Sequence, residues 1–478
     1  MRIMIKMRFK LILFTICLVL LSGCSSSLVA PEYQPSKEAS MTLTFLSAQK
    51  TTIPSSMIGM NIELNKLCAI LRTDDANRDA YEQLYKNLGT GTLHIGGHSV
   101  DDSLWIPDAQ PACRRYTITR PVVQSLFAFA RRIHWNVIWG LNFLADQPQM
   151  DADEAAYVNS VGRGVLLGFT VGNEPDLFPK NGLRPASWGY NNYLTQWNAD
   201  RDAILTKVPS AHFFGPETAS QTTWFPKFLQ DEAPSNRLAA VSRHYYFYSG
   251  GNAKNSHITV KDILSLGASK QFALEARDWV SQANQYKVPV DISEMNTISN
   301  GGIRGVSDTF ASALWASDIL FQSVTLGINQ IDFQQVPDAA YALINDQGAP
   351  QAIYNGILFF RLAAASSVLV PSVLNSSANI SSYVLRDQNN NDLRAVLINN
   401  ASQTINAAFV PGSAYHTMTT LHMQAPSLTS TSGLTIGNTT LTSGKAFTLP
   451  ALPHTKLNAS QVILSVPANS ASTFTFSA

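Results

Sequence analysis

Between residues 56 and 366 the chain alternates two hydrophobic rhythms. Short runs dense in apolar, β-branched or aromatic residues occur at Ser56–Leu64, Gly91–Gly97, Trp135–Phe143, Val165–Asn173, His212–Glu217, Ala239–Tyr246, Val288–Glu294 and Gly327–Gln334. Between them lie stretches with apolar residues at helical spacing, such as Asp79–Leu88, Pro121–Arg132, Tyr190–Thr206, Ser269–Tyr286 and Ser307–Leu326. Near-continuous apolar runs suit strands buried on both faces, and strand–helix alternation implies parallel pairing through crossovers. Eight such units over about 300 residues predict an α/β fold of the (β/α)8 TIM barrel type. A doubly wound sheet is the alternative, but no glycine-rich phosphate loop follows the first strand.

The rhythm changes near residue 366. Ser, Thr, Asn, Val and Leu dominate, and short alternating runs appear at Ser382–Asp387, Leu393–Asn399, Ala407–Val410, Thr417–His422, Ala446–Leu449, Gln461–Val466 and Ser472–Ser477. Period-two alternation separated by turn residues predicts a C-terminal antiparallel β-sandwich over 367–478. Met41–Leu46 alternates too, so 41–55 is expected to lend that sandwich an N-terminal strand, leaving 56–366 as the barrel.

Only 14% of the 478 residues are charged and the net charge is +1. Arg2, Lys6, Arg8 and Lys10 account for more than that excess, so no basic stripe remains and nucleic acid is not an expected partner. Those four cations precede an apolar run, Leu11–Leu21, that is shorter than the roughly 20 residues a spanning helix needs. Leu21-Ser22-Gly23-Cys24 follows and resembles the lipobox of bacterial lipoproteins, with a Ser/Pro-rich tether after it. Residues 1–24 are therefore expected to be a signal, 25–40 a tether, and Cys24 the lipidation site. The implied location is the bacterial cell envelope: outer membrane, cell surface or periplasm. The anchor would be the only membrane contact. In such a compartment Cys68 and Cys113 are expected to pair, the alternative being two buried thiols.

Two carboxylates stand where a barrel places its chemistry, at strand C-termini. Strand four runs into Asn173-Glu174-Pro175, and strand seven ends Ile292-Ser293-Glu294. Paired carboxyls across a barrel mouth suit glycoside hydrolysis, one as acid/base and the other as nucleophile or base. Glu217 on strand five reads as structural. No His, Cys, Asp or Glu set has metal-ligand spacing, so neither metal nor cofactor is expected.

These motifs, with their order and surroundings, resemble glycoside hydrolase family 79, the bacterial β-glucuronidases and heparanases. Gly59-Met60-Asn61-Ile62-Glu63, Leu93-His94-Ile95, Arg243-His244-Tyr245-Tyr246, Asn300-Gly301-Gly302 and Tyr341-Ala342-Leu343 carry the resemblance from residue 57 to about 362. It implies a retaining mechanism with Glu174 as acid/base and Glu294 as nucleophile. It further implies that Glu63 and Asn173 bind sugar hydroxyls and that His244 lies at the site. Tyr245 or Tyr246 would contact Glu294. Asn300, Gly301 and Gly302 would hold a substrate carboxylate through backbone amides, with Tyr341 as a second contact. The implied substrate is a glucuronic-acid-containing glycan or glycoside, cleaved in exo fashion; another sugar, endo action, or an inactive glycan-binding barrel are the alternatives. The resemblance departs at His94, where relatives carry Arg. A neutral imidazole there would not hold the nucleophile anionic.

Overall fold

The computed structural model describes residues 41–46, 50–71, 78–250 and 257–478. The expected signal, tether and Cys24 lie outside the described residues.

Eight parallel strands close into a barrel: Ile58–Glu63, Thr92–Gly96, Asn136–Leu141, Leu166–Val171, Phe213–Thr218, Leu238–Tyr248, Val290–Ile298 and Gln330–Gln335. They are called barrel strands one to eight below. Each falls within or across one of the eight apolar runs. Helices at Arg78–Asn87, Arg120–Ile133, Pro148–Gly162, Tyr190–Lys207, Leu266–Asn284, Phe310–Leu326 and Ala352–Ala364 are among those that wrap the barrel.

The helix Arg120–Ile133 shows why these segments fold as they do. Thr119 accepts a hydrogen bond from the Val122 amide and Pro121 sits in the first turn, where its missing N–H costs nothing. Val122, Val123, Leu126, Phe127, Ala130 and Ile133 form the buried stripe, and His134 in a left-handed conformation ends the helix. Replacing Thr119 by Ala would remove a cap worth about 1 kcal/mol.

The barrel interior is polar at one level. Thr92 Oγ1 donates to Gln330 Oε1 at 3.0 Å, and Gln330 Nε2 donates to Asp332 at 2.8 Å. Asp332 fits because strand one carries Gly59 opposite it; a Cβ there would lie 1.7 Å from Asp332 Oδ1.

Beyond the barrel, Met41–Phe45, Ser372–Leu374, Ile405–Phe409 and Val462–Val466 make a four-stranded sheet. It faces a larger sheet built mainly from Ser367–Val370, Ile380–Asp387, Leu393–Asn399, Thr417–Gln424 and Ser470–Ser477. Leu43, Leu393, Leu397, Phe409, Val466 and Phe476 fill the space between the sheets. The larger sheet is also covered on its other side, where Leu385, Val396, Ile398 and Met423 join the barrel core. Nearly all pairs are antiparallel, but Met41–Phe45 enters parallel to Ile405–Phe409. Ala446–Leu449 is not a strand. Its backbone is taken by a barrel helix instead: Phe447 N donates to Asn87 Oδ1 and Asn87 Nδ2 donates to Lys445 O.

Cys68 and Cys113 are bonded, with Cα atoms 5.8 Å apart. The bridge joins the segment after barrel strand one to the loop after strand two.

Candidate active site

Glu174 stands just past strand four in a left-handed conformation, φ 49°, at the start of the turn Pro175–Leu177. Few residues other than glycine adopt that region, and such strain gathers at functional sites. Its amide donates to Glu217 O at 2.9 Å, and Glu217 is itself left-handed, φ 56°. The preceding residue is fixed by Asp101, whose Oδ2 accepts from Asn173 N at 2.9 Å. Asp101 also accepts from Phe143 N and Leu144 N, so one buried carboxyl ties the ends of strands three and four together.

Glu294 lies within strand seven, 6% exposed. Tyr246 donates its hydroxyl to Glu294 Oε1 at 2.7 Å, while Oε2 has no partner among the described residues. This settles which tyrosine faces the site. Tyr245 points away and packs on Phe272 and Trp279, with ring centroids at 5.1 and 5.7 Å. It is not a substrate contact, because alternation along strand six sends His244 and Tyr246 inward and Tyr245 outward.

His244 is fully buried between carboxylates. Its Nδ1 is 3.0 Å from Glu174 Oε1 and its Nε2 is 3.2 Å from Glu217 Oε2. Glu294 Oε1 is 3.9 Å from Nδ1. Both ring nitrogens meet carboxylate oxygens, so with both carboxyls ionised the ring donates to both as an imidazolium. Burial opposes that charge, but Glu294, Glu174 and Glu217 outweigh it and hold the His244 pKa well above the ordinary value.

Glu217, read from sequence as structural, is the base of this arrangement. It is 2% exposed and accepts a hydrogen bond from the Ser242 hydroxyl. His94 Nε2 lies 3.9 Å from it. Burial works to raise its pKa, but His94 and His244 together bring it below the usual carboxylate value. His94 contacts Ser293 O and Thr170 Oγ1 rather than Glu294. Its pKa is raised: burial opposes the charge, and Glu217 and Asp332 overcome it. The surroundings of His94 thus favour the charged form more than the neutral imidazole expected from the sequence, and the ring that adjoins the nucleophile position is His244. Burial pushes the Glu294 carboxyl up to about 7, with His244 pulling it down and Glu174 adding to the rise.

Glu63 is held rigid at the opposite wall. Its carboxylate accepts from the amides of His98 and Ser99, from the Ser99 hydroxyl, and from Gln334 Nε2. Gly97, with φ 71°, leaves room for it; a Cβ there would come within 2.6 Å of the Glu63 carboxylate.

A cavity of about 750 Å³ gathers Glu63, Asn173, Glu174, His244, Tyr246, Glu294, Asn300 and Tyr341. His98 lines it too, as do Gln334 and Lys180, which were not singled out from the sequence. Gly301 and Gly302 do not line it. The Gly301 amide is engaged by the Tyr341 hydroxyl, and Gly302 packs so closely on Ser307 that a Cβ would lie 2.7 Å from its Oγ. The loop therefore reaches the cavity through Ser299 and Asn300, and the glycines pack against Tyr341.

One oxygen each from Glu174 and Glu294 and one nitrogen of His244 lie within 4.8 Å of one another. That closeness would also suit a cation, although both nitrogens of His244 are already engaged by Glu174 and Glu217.

No protein-family model matches the chain. It is 25% identical over 209 residues to a β-glucuronidase of Neurospora crassa, covering 38% of this chain and 36% of that one. It is 25% identical over 277 residues to a heparanase of Rattus norvegicus, covering 54% and 48%. The chain thus spans about a third to a half of the length of these curated relatives. Among solved structures, a 4-O-α-L-rhamnosyl-β-D-glucuronidase of Fusarium oxysporum superposes with a TM-score of 0.77 at 15% identity. That superposition covers 91% of this chain and all of that one. A family 51 arabinofuranosidase of Xanthomonas axonopodis gives 0.66 at 12% identity, over 91% of this chain and 99% of that one. The barrel with appended sheets is the fold these enzymes share, and over about half its length the chain is a distant homologue of the β-glucuronidases and heparanases of glycoside hydrolase family 79.

Proposed function

We propose that the chain is a retaining glycoside hydrolase acting on β-linked glucuronic acid. The observation that carries the reading is the approach of Glu174 and Glu294 to within 4.8 Å, with Tyr246 and His244 bonded to them inside one cavity. Carboxyls about 5–5.5 Å apart suit a covalent intermediate, whereas inversion needs a wider gap to admit water. Glu294 attacks the anomeric carbon, and Tyr246 orients it. Glu174 gives its proton to the departing oxygen, then takes one from water. Asn300 and Tyr341, placed by the glycine loop, are the groups that would meet the sugar carboxylate.

A panel of aryl β-glycosides tests this. The glucuronide should exceed the glucoside, galactoside and xyloside in kcat/KM, and proton NMR should show the β-anomer forming first. Inversion would refute the roles of the two glutamates. Equal activity on the glucoside would remove the uronic acid while leaving the mechanism.

Envelope anchoring belongs to the same proposal and rests on the sequence Leu21–Cys24. Cells expressing the Cys24→Ala protein should show no metabolic fatty-acid labelling of it. Labelling equal to that of the unaltered protein would remove the anchor.

A further inference from the structure

The four-stranded sheet of Met41–Phe45, Ser372–Leu374, Ile405–Phe409 and Val462–Val466 turns one face to the sandwich core and the other to solvent. Leu46, Val373, Val410 and Ile463 are 50–66% exposed and make up four of the ten large apolar residues exposed among the described residues. The register gathers them. Thr44 pairs with Val373, and Leu43 pairs with Phe409, so one step on Thr44 lies beside Val410. In the next row Thr42 pairs with Ala408, and Ala408 with Ile463. Leu46 comes two residues after Thr44 and so points the same way, its amide donating to Pro371 O at 2.9 Å. The result is one patch of aliphatic side chains with threonines between them.

No charge interrupts this patch. Residues 41–46, 371–385, 395–415 and 457–478, which hold the four strands and the turns beside them, contain no Asp, Glu, Lys or Arg, against 14% over the whole chain. The outer helices of the barrel differ: Leu266–Asn284 exposes Lys270, Arg277 and Asp278. Sheets that face water ordinarily carry such charges, which keep them soluble and unpaired.

What covers the face is read from where the chain enters it. Met41–Phe45 is the first strand of the described fold and lies inside this sheet, between Ser372–Leu374 and Ile405–Phe409. Sixteen residues separate Cys24 from Met41, a reach of at most about 55 Å when fully extended. The anchor proposed above therefore ties this sheet to lipid by the shortest path along the chain. A second copy fits less well, because four aliphatic side chains offer on the order of a few hundred Å², short of the roughly 800 Å² per partner of a stable dimer. A glycan would stack on aromatic rings, but Phe45 turns inward onto Phe409, with ring centroids at 5.7 Å. The boundary between headgroups and acyl chains accepts aliphatic side chains edged by hydroxyls. Weak contact suffices there, since a tethered face meets the bilayer at high effective concentration.

We propose that the outward face of this sheet, centred on Val373, Val410 and Ile463, rests on the phospholipid bilayer to which the N-terminal segment ties the chain. This rests on the envelope anchoring above and goes beyond it, because it fixes which side of the fold meets the membrane.

The test uses the whole lipoprotein. With Cys24 acylated, Cys68 bonded to Cys113 and Cys17 in the expected signal, it has no free thiol. A Val373→Cys protein is therefore labelled at one place with the fluorophore NBD. A Leu274→Cys protein, changed on the exposed side of the barrel helix Leu266–Asn284, is the control. Each is reconstituted into vesicles of phosphatidylethanolamine and phosphatidylglycerol, with and without doxyl-labelled lipid. Doxyl lipid should quench the Val373→Cys label at least twofold and leave the Leu274→Cys label unchanged. Adding Val410→Asp and Ile463→Asp to the Val373→Cys protein should abolish the quenching while the thermal midpoint stays in place. Equal quenching at both sites, or none at either, would overturn the docked face. So would a Val373→Cys label that shifts to the blue with rising protein concentration but is not quenched by lipid, which assigns the face to a second copy. If fatty-acid labelling finds no lipid on Cys24, the anchoring reading fails by itself. The two substitutions are then made in a Cys24→Ala background, labelled, and mixed with the same vesicles. Quenching confined to Val373→Cys supports the face, and its absence overturns it.

Discussion

Two of the groups of buried carboxyls in this barrel meet different surroundings. At the mouth, Glu217, Glu174 and Glu294 surround His244, with His94 behind them. Between strands three and four and the helices outside them lie Asp101, Asp151, Glu154 and Asp200, all 5% exposed or less. Among the described residues no Lys, Arg or His pairs with these four in an ion pair. At the mouth, cations balance the burial, and Glu217 falls below the usual carboxylate value. Glu294 still rises to about 7 through burial, even with His244 beside it. In the second group no ion-paired cation opposes burial. Asp101 and Asp200 rise to about 7 and Glu154 to about 8. Asp151 rises well above the ordinary value through burial, then through Asp200 and Glu154. A buried carboxyl without a cation takes a proton instead of a charge. The lesson is that burial alone does not mark a reactive site; the mouth is distinguished by imidazoles that oppose burial, fully at Glu217 and in part at Glu294.

The strongest way to break this contrast is to remove the anion beneath the imidazoles. Glu217→Gln leaves His244 with one fewer carboxylate and His94 with its chief partner gone. Loss of such a supporting partner costs about 10–100-fold in activity elsewhere, and a fall of that size in kcat/KM is expected. A merely structural role would lower yield or stability without moving the pH profile. Here the profile should move. A weaker His244 cation stabilises Glu294 less, so the acid limb should shift to higher pH. An unmoved limb in a folded Glu217→Gln protein would return Glu217 to the structural reading.

The unaltered protein offers a gentler check of the same idea. A nucleophile must be ionised, and Glu294 sits at about 7. The sign is therefore fixed: kcat/KM should fall as the pH drops below about 7 and reach a plateau above it, until the acid/base group loses its proton. The measurement is the acid limb with an activated aryl glycoside. A limb near 4 would mean that His244 overcomes the burial of Glu294 completely.

How far these residues could be read from the chain differs between the two groups for a physical reason. All eight barrel strands were legible because each is buried on both faces and so is written as a dense apolar run. Glu174 and Glu294 were legible because a carboxylate that ends such a run has few places to go except the barrel mouth. Tyr246 was not separable from Tyr245, because alternation along strand six says only that neighbours face opposite ways, and nothing local marks which of them faces inward. The partners that mark Ser242, His244 and Tyr246 as inward come from strands four, five and seven. Glu217 was undervalued because its partners, His94 and His244, come from strands two and six. Nothing local to Gly215-Pro216-Glu217 signals that they converge on it. Asp101 was missed likewise, since its contact with Asn173 N spans 72 residues. In the sandwich, Ala446–Leu449 alternates like a strand, but Asn87 claims the backbone beside it.

The smallest expected effect lies in the second group and is one of stability rather than activity. Asp151 on the helix Pro148–Gly162 and Asp200 on Tyr190–Lys207 face each other across the helix pair. None of their four oxygens finds another partner among the described residues. One proton shared between them is the arrangement that serves both. Their folded pKa values are raised above the unfolded value near 4, so the folded state binds more protons than the unfolded one across the interval between the two. Stability from these groups is therefore full below about pH 4 and is lost as the pH climbs toward 7 and beyond. The slope is at most about 1.4 kcal/mol per pH unit for each proton gained on folding. Asp151→Asn removes one titrating group and supplies an amide that can donate to Asp200 at any pH. Thermal midpoints at pH 5 and pH 8 should thus lie closer together in the variant than in the unaltered protein, with the gain at pH 8. Aryl glycoside turnover near pH 7 serves as a control for the mouth. Equal pH slopes in the two proteins would show that Asp151 gains no proton on folding and that the cation-free group is not the acid store its burial implies.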